Sequence, residues 1–456
     1  MWLSSLMPLI SRLACHVYYR LTVAGAPVPP TGPMLLVANH TNSLIDPPLV
    51  VVAARRNVRF MAKAPLFTHP AIGWLVRAVG SVPVYRQIDD PSMVAQNYDS
   101  FRDVHAAIAA GYAVGIFPEG ISHSRSRLQP LKTGAARIAL GAAQKLGRAF
   151  PIIPMGLVFR DRRTFRSAAR VIVGEAFDWD DLALRGPDDK DAVRSLTRRV
   201  DAAMRSVTLN LHDWADEQLI RCAEHVWRAE FGASPDANDQ LARLHTATDA
   251  LARLRLGEGT AWRLVVRDLR MHDRLLARLG LTPQSLRASV TNAAAVDWVV
   301  TRLPLLAALP IAALGLVLFW VPRELTGRLG ERLALPEGED TVPTYRVIGG
   351  AVIFPAWFLL LAVGAGLLWG MWPGVLTFFL LPIVAVAALS VGETRQLSWH
   401  AIRRFMILRT QRDRIAQLRV RQRRIAEQLR DLLDASTRAD SSPGSTGTPP
   451  TTSPTA

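Results

Sequence analysis

Cysteine is nearly absent: Cys15 and Cys222 are the only two in 456 residues. That excludes a disulfide framework and a cysteine-built metal cluster, and it points to a reducing compartment. Zinc-finger spacing and the aromatic–glycine signature of RNA readers are also missing, so the formal net charge of +16 has no nucleic-acid-reading module to serve. Anionic lipid headgroups are the simpler partner for such a charge. Residues 1–10 lack the basic flank and the small-residue cleavage site of a secretory signal. Residues 1–30 therefore read as a membrane-contacting segment, with a core-packing helix starting after Pro8 as the competing reading.

Charge is missing altogether from residues 347–392, a run far longer than the roughly 20 residues one membrane span needs. It divides at Trp369-Gly370-Met371-Trp372-Pro373-Gly374, where interfacial aromatics meet turn formers. With the nearly uncharged residues 303–321 this gives three apolar segments, about 303–321, 347–368 and 375–391, within a membrane region at 301–394. Residues 395–430 carry eleven arginines against Asp413 and Glu427, which keeps them on the cytoplasmic side. A basic catalytic domain belongs there too, so three full spans would be one too many. Either the first segment is interfacial, or residues 351–391 form a helical hairpin buried partway, or the orientation rule is overridden. Residues 395–435 read as a basic amphipathic helix lying on anionic lipid or pairing with another chain. Residues 436–456 are compositionally disordered, and residues 183–300 hold amphipathic runs, among them 192–211 and 241–256, that read as a helical linker or cap.

Chemistry concentrates in residues 31–182. Met34-Leu35-Leu36-Val37-Ala38 is an apolar run that reads as a buried strand and leads into Asn39-His40-Thr41-Asn42-Ser43-Leu44-Ile45-Asp46. His40 then emerges at a strand's carboxyl end, where open α/β sheets place their ligands. A histidine strips a proton from an alcohol near neutral pH, and a carboxylate such as Asp46 fixes its tautomer and stabilises the imidazolium. Gly80-Ser81-Val82-Pro83-Val84-Tyr85-Arg86 is a second apolar strand that delivers an arginine suited to a phosphate oxygen pair. Gly115-Ile116-Phe117-Pro118-Glu119-Gly120 is a third strand running into a tight turn, and Ile152-Ile153-Pro154-Met155-Gly156-Leu157 is a fourth, apolar throughout. Asn39 and Asn42 read as turn-shaping residues, and His123 as a structural histidine.

These four blocks, in this order over residues 15–180, resemble the motifs of the glycerolipid acyltransferase family, which includes glycerol-3-phosphate and lysophosphatidic acid acyltransferases. The common family spacing leaves four residues between histidine and aspartate; here five lie between His40 and Asp46. That variant, with Ser122-His123 and Leu131-Lys132-Thr133-Gly134 downstream, is similar to the branch of fungal-type glycerol-3-phosphate and dihydroxyacetone-phosphate acyltransferases. The resemblance implies an α/β fold, a sheet flanked by helices and followed by a helical region and C-terminal transmembrane helices. It implies His40 and Asp46 as the catalytic pair, Glu119 and Gly120 at the acceptor site with Glu119 on acceptor hydroxyls, and phosphate held by Arg86 and Lys132 with Arg125 or Arg127. The sequence shows no identifiable oxyanion donor, and a backbone N–H near the histidine is the candidate.

The expected activity is transfer of a fatty acyl group from acyl-CoA or acyl carrier protein to a hydroxyl of glycerol 3-phosphate or dihydroxyacetone phosphate. Lysophosphatidic acid is the alternative acceptor, and a catalytically inactive membrane scaffold the alternative of another class. No cofactor beyond the thioester substrate and no metal is expected. The expected partners are the phosphate acceptor, the thioester donor and a phospholipid membrane. The expected location is the cell membrane, with the catalytic domain facing the cytoplasm.

Overall fold

The structure, a computed structural model, describes residues 4–69, 72–85, 97–123, 125, 127–209, 214–232, 243–248, 251, 260–287, 300, 309–335 and 338–441. The chain divides into two compact units, residues 1–211 with 299–396 and residues 212–298 with 397–456.

The first unit is built on a seven-stranded sheet: β1 (Arg20–Gly25), β2 (Met34–Ala38), β3 (Val58–Lys63), β4 (Val82–Val84), β5 (Ala113–Ile116), β6 (Ile152–Phe159) and β7 (Ala168–Val173). The strand order is β1-β7-β6-β2-β5-β3-β4. Every pairing is parallel except the one between β6 and β7. The side chains of β2 alternate as a doubly covered strand requires. Leu35 and Val37 enter a core with α3 (Asn97–Ala109), α4 (Gly134–Leu146) and α5 (Lys190–Val207) on one face. Met34, Leu36 and Ala38 enter a second core with α1 (Met7–Tyr18) and α2 (Asp46–Ala54) on the other. The expected α/β sheet flanked by helices is therefore what forms, with β2 at its centre and His40 just beyond its end.

Two boundaries differ from the sequence reading. Helix α5, placed in the linker by its amphipathic pattern, belongs to the sheet: Asp189 caps it by accepting from the Asp191 and Ala192 amides at 2.9 and 3.0 Å. Leu196, Val200, Met204 and Val207 bury one stripe, each large side chain contributing about 1.5–3 kcal/mol over exposure. Helix α1 combines both readings of the amino terminus. Ser11, Cys15 and Tyr18 are buried, while Leu6, Leu9, Ile10, Leu13 and Val17 form an exposed apolar stripe.

In the carboxyl part of this unit, α8 (Leu309–Leu318) and α9 (Trp320–Ala334) precede α10 (Val342–Trp369) and α11 (Met371–Thr410). Among the described residues, two helices are long and apolar enough to cross a membrane: Val342–Trp369 and Met371–Val391, with mean hydropathies of 2.3 and 2.4. In those windows only 11% and 22% of residues are buried, so their apolar side chains face outward rather than into a protein core. The chain reverses at Gly370 (φ +100°), a conformation side-chain-bearing residues rarely adopt. Just beyond, a Cβ on Gly374 would lie 2.8 Å from the Ala362 carbonyl oxygen and 2.9 Å from the Gly366 Cα. Small residues thus let the two helices close into the hairpin that charge-free residues 351–391 suggest. The first apolar segment is helical over ten residues, about 15 Å, or half a bilayer core; residues 303–308 lie outside the described residues. The α8 helix packs against the hairpin, where a Gly315 Cβ would lie 2.5 Å from the Ala388 Cβ and Trp357 Nε1 donates to the Leu318 carbonyl at 2.9 Å.

The second unit contains α6 (Trp214–Phe231), α7 (Thr260–Leu279) and α12 (Arg412–Ser441). The basic amphipathic helix expected at 395–435 is the carboxyl part of α11 followed by α12. Its apolar face is occupied within the unit: Ile415, Leu418, Ile425, Ala426 and Leu429 are buried against α6 and α7. Buried Gln422 donates to Glu230 Oε1 at 2.7 Å and to the Pro283 carbonyl at 3.2 Å. This corrects the idea that the face is reserved for lipid or for another chain. The helix also continues six residues past the boundary set by composition, to Ser441. Residues 442–456, and most of the 241–256 run, lie outside the described residues.

Candidate active site

His40 leaves the end of β2, and its Nδ1 lies 2.8 Å from Asp46 Oδ2. The same oxygen accepts the Thr41 and Asn42 amides at 2.8 and 2.7 Å. A carboxylate accepts only, so Nδ1 carries the proton and Nε2 is left with its lone pair. The Asp46 side chain is fully buried and that of His40 is 20% exposed, which leaves the base reachable and its orienter sealed. The extra residue between them is absorbed by a short 3-10 turn over Ser43–Ile45, entered through Ser43 at φ +45°. That turn carries Asp46 back under the histidine as the first residue of α2. Behind the pair, Phe117 stacks on the imidazole at 4.2 Å between centroids and 14° between planes.

Glu119 stands elsewhere than the sequence reading put it. Its side chain is fully buried. Its Oε1 accepts the His40 amide at 2.9 Å, and its Oε2 accepts the Gln129 amide at 2.8 Å and His123 Nε2. A carboxylate so enclosed does not hold acceptor hydroxyls, so that assignment is corrected. The oxyanion expectation changes as well. The amides of residues 40, 41, 42 and 43 are taken by Glu119, Asp46, Asp46 and Ser122 Oγ respectively, so none of these four is free for a developing oxyanion.

Gly120 takes φ +74°, and a Cβ there would lie 3.3 Å from Lys132 Cγ, so the lysine stem lies over the glycine. The Lys132 amide donates to the Pro118 carbonyl at 2.7 Å, and its side chain is exposed just before α4. Arg125 and Arg127 are exposed on the same loop; Arg125 Nη1 donates to Gln129 Oε1 at 2.7 Å. Arg86 lies outside the described residues. Asn39 is structural, as expected, but across the sheet: it exchanges two hydrogen bonds with the Leu157 backbone, at 3.1 and 2.6 Å. Asn42 donates to the Tyr19 hydroxyl at 2.7 Å. Cys15 lies behind Asp46, its thiol pushed up to about 12 by burial and by the Asp46 charge, so it stays an inert thiol.

Arg162 escaped the sequence reading. Its Nη1 donates to the Thr41 carbonyl at 2.8 Å and to the His123 carbonyl at 3.3 Å, joining the loop after β2 to the loop after β5. Its signal was the basic run Arg160-Asp161-Arg162-Arg163 directly after β6, at the ligand-binding end of the sheet.

An open, mostly parallel sheet carries a histidine–carboxylate pair beyond its central strand and exposed cations on an adjacent loop, an arrangement chemically able to take a proton from a hydroxyl. Residues 20–158 match the family described as Acyltransferase. The chain is 32% identical over 135 residues to glycerol-3-phosphate O-acyltransferase 2 of Saccharomyces cerevisiae, covering 29% of this chain and 18% of that protein. It is 29% identical over 150 residues to a chloroplastic 1-acyl-sn-glycerol-3-phosphate acyltransferase of Brassica napus, covering 32% of this chain and 40% of that one. The chain thus spans less than a fifth of the yeast relative's length. Among solved structures it is similar to the 1-acyl-sn-glycerophosphate acyltransferase of Thermotoga maritima, at 20% identity with a TM-score of 0.33, covering 44% of this chain and 76% of that one.

Proposed function

We propose that the chain is a membrane acyltransferase that moves a fatty acyl group from a thioester, acyl-CoA or acyl carrier protein, to a hydroxyl of glycerol 3-phosphate or dihydroxyacetone phosphate. The observation that carries this reading is the His40–Asp46 contact with Nε2 left as a base, inside a domain of the acyltransferase family. His40 Nε2 takes the hydroxyl proton as the oxygen attacks the thioester carbonyl. The tetrahedral intermediate then collapses and expels the thiolate, which takes the proton back from the imidazolium. An ester and a free thiol result, with no covalent enzyme intermediate. Lys132, Arg125 and Arg127 remain as phosphate-holding cations, together with Arg86 from the sequence reading. The two apolar helices support membrane association, in this reading in the cell membrane with the catalytic domain toward the cytoplasm.

Lysophosphatidic acid is the second acceptor to weigh, because relatives of both activities match the same residues. The test is transfer of label from acyl-CoA, and separately from acylated acyl carrier protein, by the purified chain to each of the three acceptors. Preference for glycerol 3-phosphate or dihydroxyacetone phosphate supports the reading, and preference for lysophosphatidic acid replaces it. No transfer to any of them, from either donor, favours the inactive scaffold.

A further inference from the structure

Both backbone polar groups of the catalytic histidine are held by one short turn. The His40 amide donates to Glu119 Oε1 at 2.9 Å, and the His40 carbonyl accepts the His123 amide at 3.1 Å. Glu119 and His123 are joined in turn through Nε2 and Oε2. His123 Nδ1 accepts the Arg125 amide at 3.2 Å, which fixes the proton on Nε2, the nitrogen that faces the carboxylate. The bridge therefore needs only a neutral imidazole donating to the carboxylate. Around it, Ser122 Oγ accepts the Ser43 amide at 3.1 Å, and Arg162 ties the Thr41 and His123 carbonyls together. Both side chains are largely withdrawn from solvent: His123 is 8% exposed and Glu119 not at all.

We propose that Glu119 and His123 are positioning residues that clamp the His40 peptide from both sides, leaving recognition of the acceptor to the exposed cations. The inference rests on the acyl-transfer reading for its kinetic readout. The orientation of a general base is set by its peptide as well as by its orienting carboxylate, and small misplacements of a reacting group are costly. The imidazole is braced at Nδ1 by Asp46, on its face by Phe117 and at its peptide by this clamp. Since 119 and 123 stand four residues apart on one loop, the clamp forms only when that loop closes against the loop after β2. Ser122-His123 is thus the part of the sequence that stitches the third motif to the first.

The test uses the full chain in detergent or nanodiscs, with His123→Asn, His123→Gln and Glu119→Gln. Glutamine at 123 presents an amide N–H at about the reach of Nε2, whereas asparagine falls one methylene short. His123→Asn should lower kcat about tenfold to a hundredfold while KM for acceptor and donor stays within twofold, and His123→Gln should recover to within about threefold of wild type. Glu119→Gln should also lower kcat without raising the acceptor KM. Hydrogen–deuterium exchange supplies a readout independent of activity: the amides of residues 40 and 43 should exchange at least tenfold faster in His123→Asn, and at the wild-type rate in His123→Gln. A rise in acceptor KM with unchanged kcat in Glu119→Gln, or unaltered exchange in His123→Asn, would overturn the clamp. A wild-type chain that transfers no acyl group would instead sink the acyl-transfer reading, and the exchange measurement would still decide the clamp.

Discussion

Replacing Asp46 with asparagine isolates charge from geometry at this site. All three hydrogen bonds to the carboxylate, from His40 Nδ1 and the Thr41 and Asn42 amides, converge on one oxygen at 2.7–2.8 Å, while Oδ1 has no hydrogen-bond partner. An asparagine whose carbonyl oxygen takes the place of Oδ2 keeps all three contacts, so the histidine is not driven into its wrong tautomer as in serine-protease triads. What is lost is the negative charge facing the imidazolium that forms in the transition state. The difference between a charge-assisted and a neutral hydrogen bond, about 1.5 kcal/mol, sets the lower bound. A Coulomb energy of about 6 kcal/mol at 2.8 Å and an effective dielectric of about 20 sets the upper one. The expected fall in kcat is therefore between about tenfold and ten-thousandfold, centred near a few hundredfold, with both KM values unchanged. Asp46→Ala removes the acceptor of all three donors, and buried donors without partners cost about 1–3 kcal/mol each, so it should lose thermal stability well beyond Asp46→Asn. Initial rates with labelled acyl-CoA and melting curves measure both. An Asp46→Asn enzyme within threefold of wild-type kcat would refute the charge role, and an equal loss of stability in the two variants would refute the shared-oxygen geometry.

Lys132→Ala should raise the acceptor KM about tenfold to a hundredfold with little change for the donor, the loss expected for one charge-assisted phosphate contact; equal effects on both substrates would assign the lysine to the donor's phosphates. Gly120→Ala places a side chain at φ +74° and 3.3 Å from Lys132 Cγ, so activity should fall and stability drop by about 1–2 kcal/mol in a melting experiment. Gly374→Leu drives a side chain into the backbone of residues 362–366, and the purified protein should lose thermal stability or fail to fold. In sealed vesicles, cysteines at Tyr98, Leu335 and Arg423, all exposed, should share one sidedness and a cysteine at Met371 should not, because two full-length apolar helices lie between Leu335 and Arg423. The native thiols should stay silent at pH 7.5, since burial pushes Cys15 up to about 12 and Cys222 up as well; opposite labelling of Tyr98 and Leu335 would make residues 303–321 a true span.

What the sequence reveals here is whatever repeats at short range. The continuous apolar runs of β2 and β6 and the charge-free hairpin were all readable, because each is a local pattern that one core or one bilayer imposes. The His40–Asp46 pair was readable as well, being six positions apart on one loop. Glu119 was misassigned for the opposite reason. Its partners are at 40, 123 and 129, and a carboxylate on a turn looks the same in sequence whether it faces substrate or the peptide of a residue 79 positions away. Arg162 stayed hidden because its contacts, to Thr41 and His123, lie 121 and 39 positions off. Helix α5 was given to the linker because amphipathic periodicity shows that a face is buried without naming the surface that buries it.

The apolar hairpin is rooted in the sheet-containing unit rather than merely attached to it. Helix α10 contacts the 3-10 turn that carries the chain from His40 to Asp46, and near its start Val342 and Tyr345 are buried in a cluster with Ala334 of α9. One turn on, Arg346 donates to the Arg163 carbonyl at 2.6 Å, on the loop that also supplies Arg162. In the proposed reaction a water-soluble phosphate acceptor becomes a product with a fatty chain, which partitions into lipid. A His40 loop braced by the entry of a helix that crosses the bilayer would make that product beside the lipid, and the exposed apolar stripe of α1, a helix packed on α2, would let the same unit lie against the bilayer surface. Membrane attachment would then belong to the chemistry as well as to the address, and cutting the chain between α9 and α10 should cost kcat even where the soluble piece stays folded. A truncated enzyme with wild-type kcat in detergent would show that the hairpin only anchors.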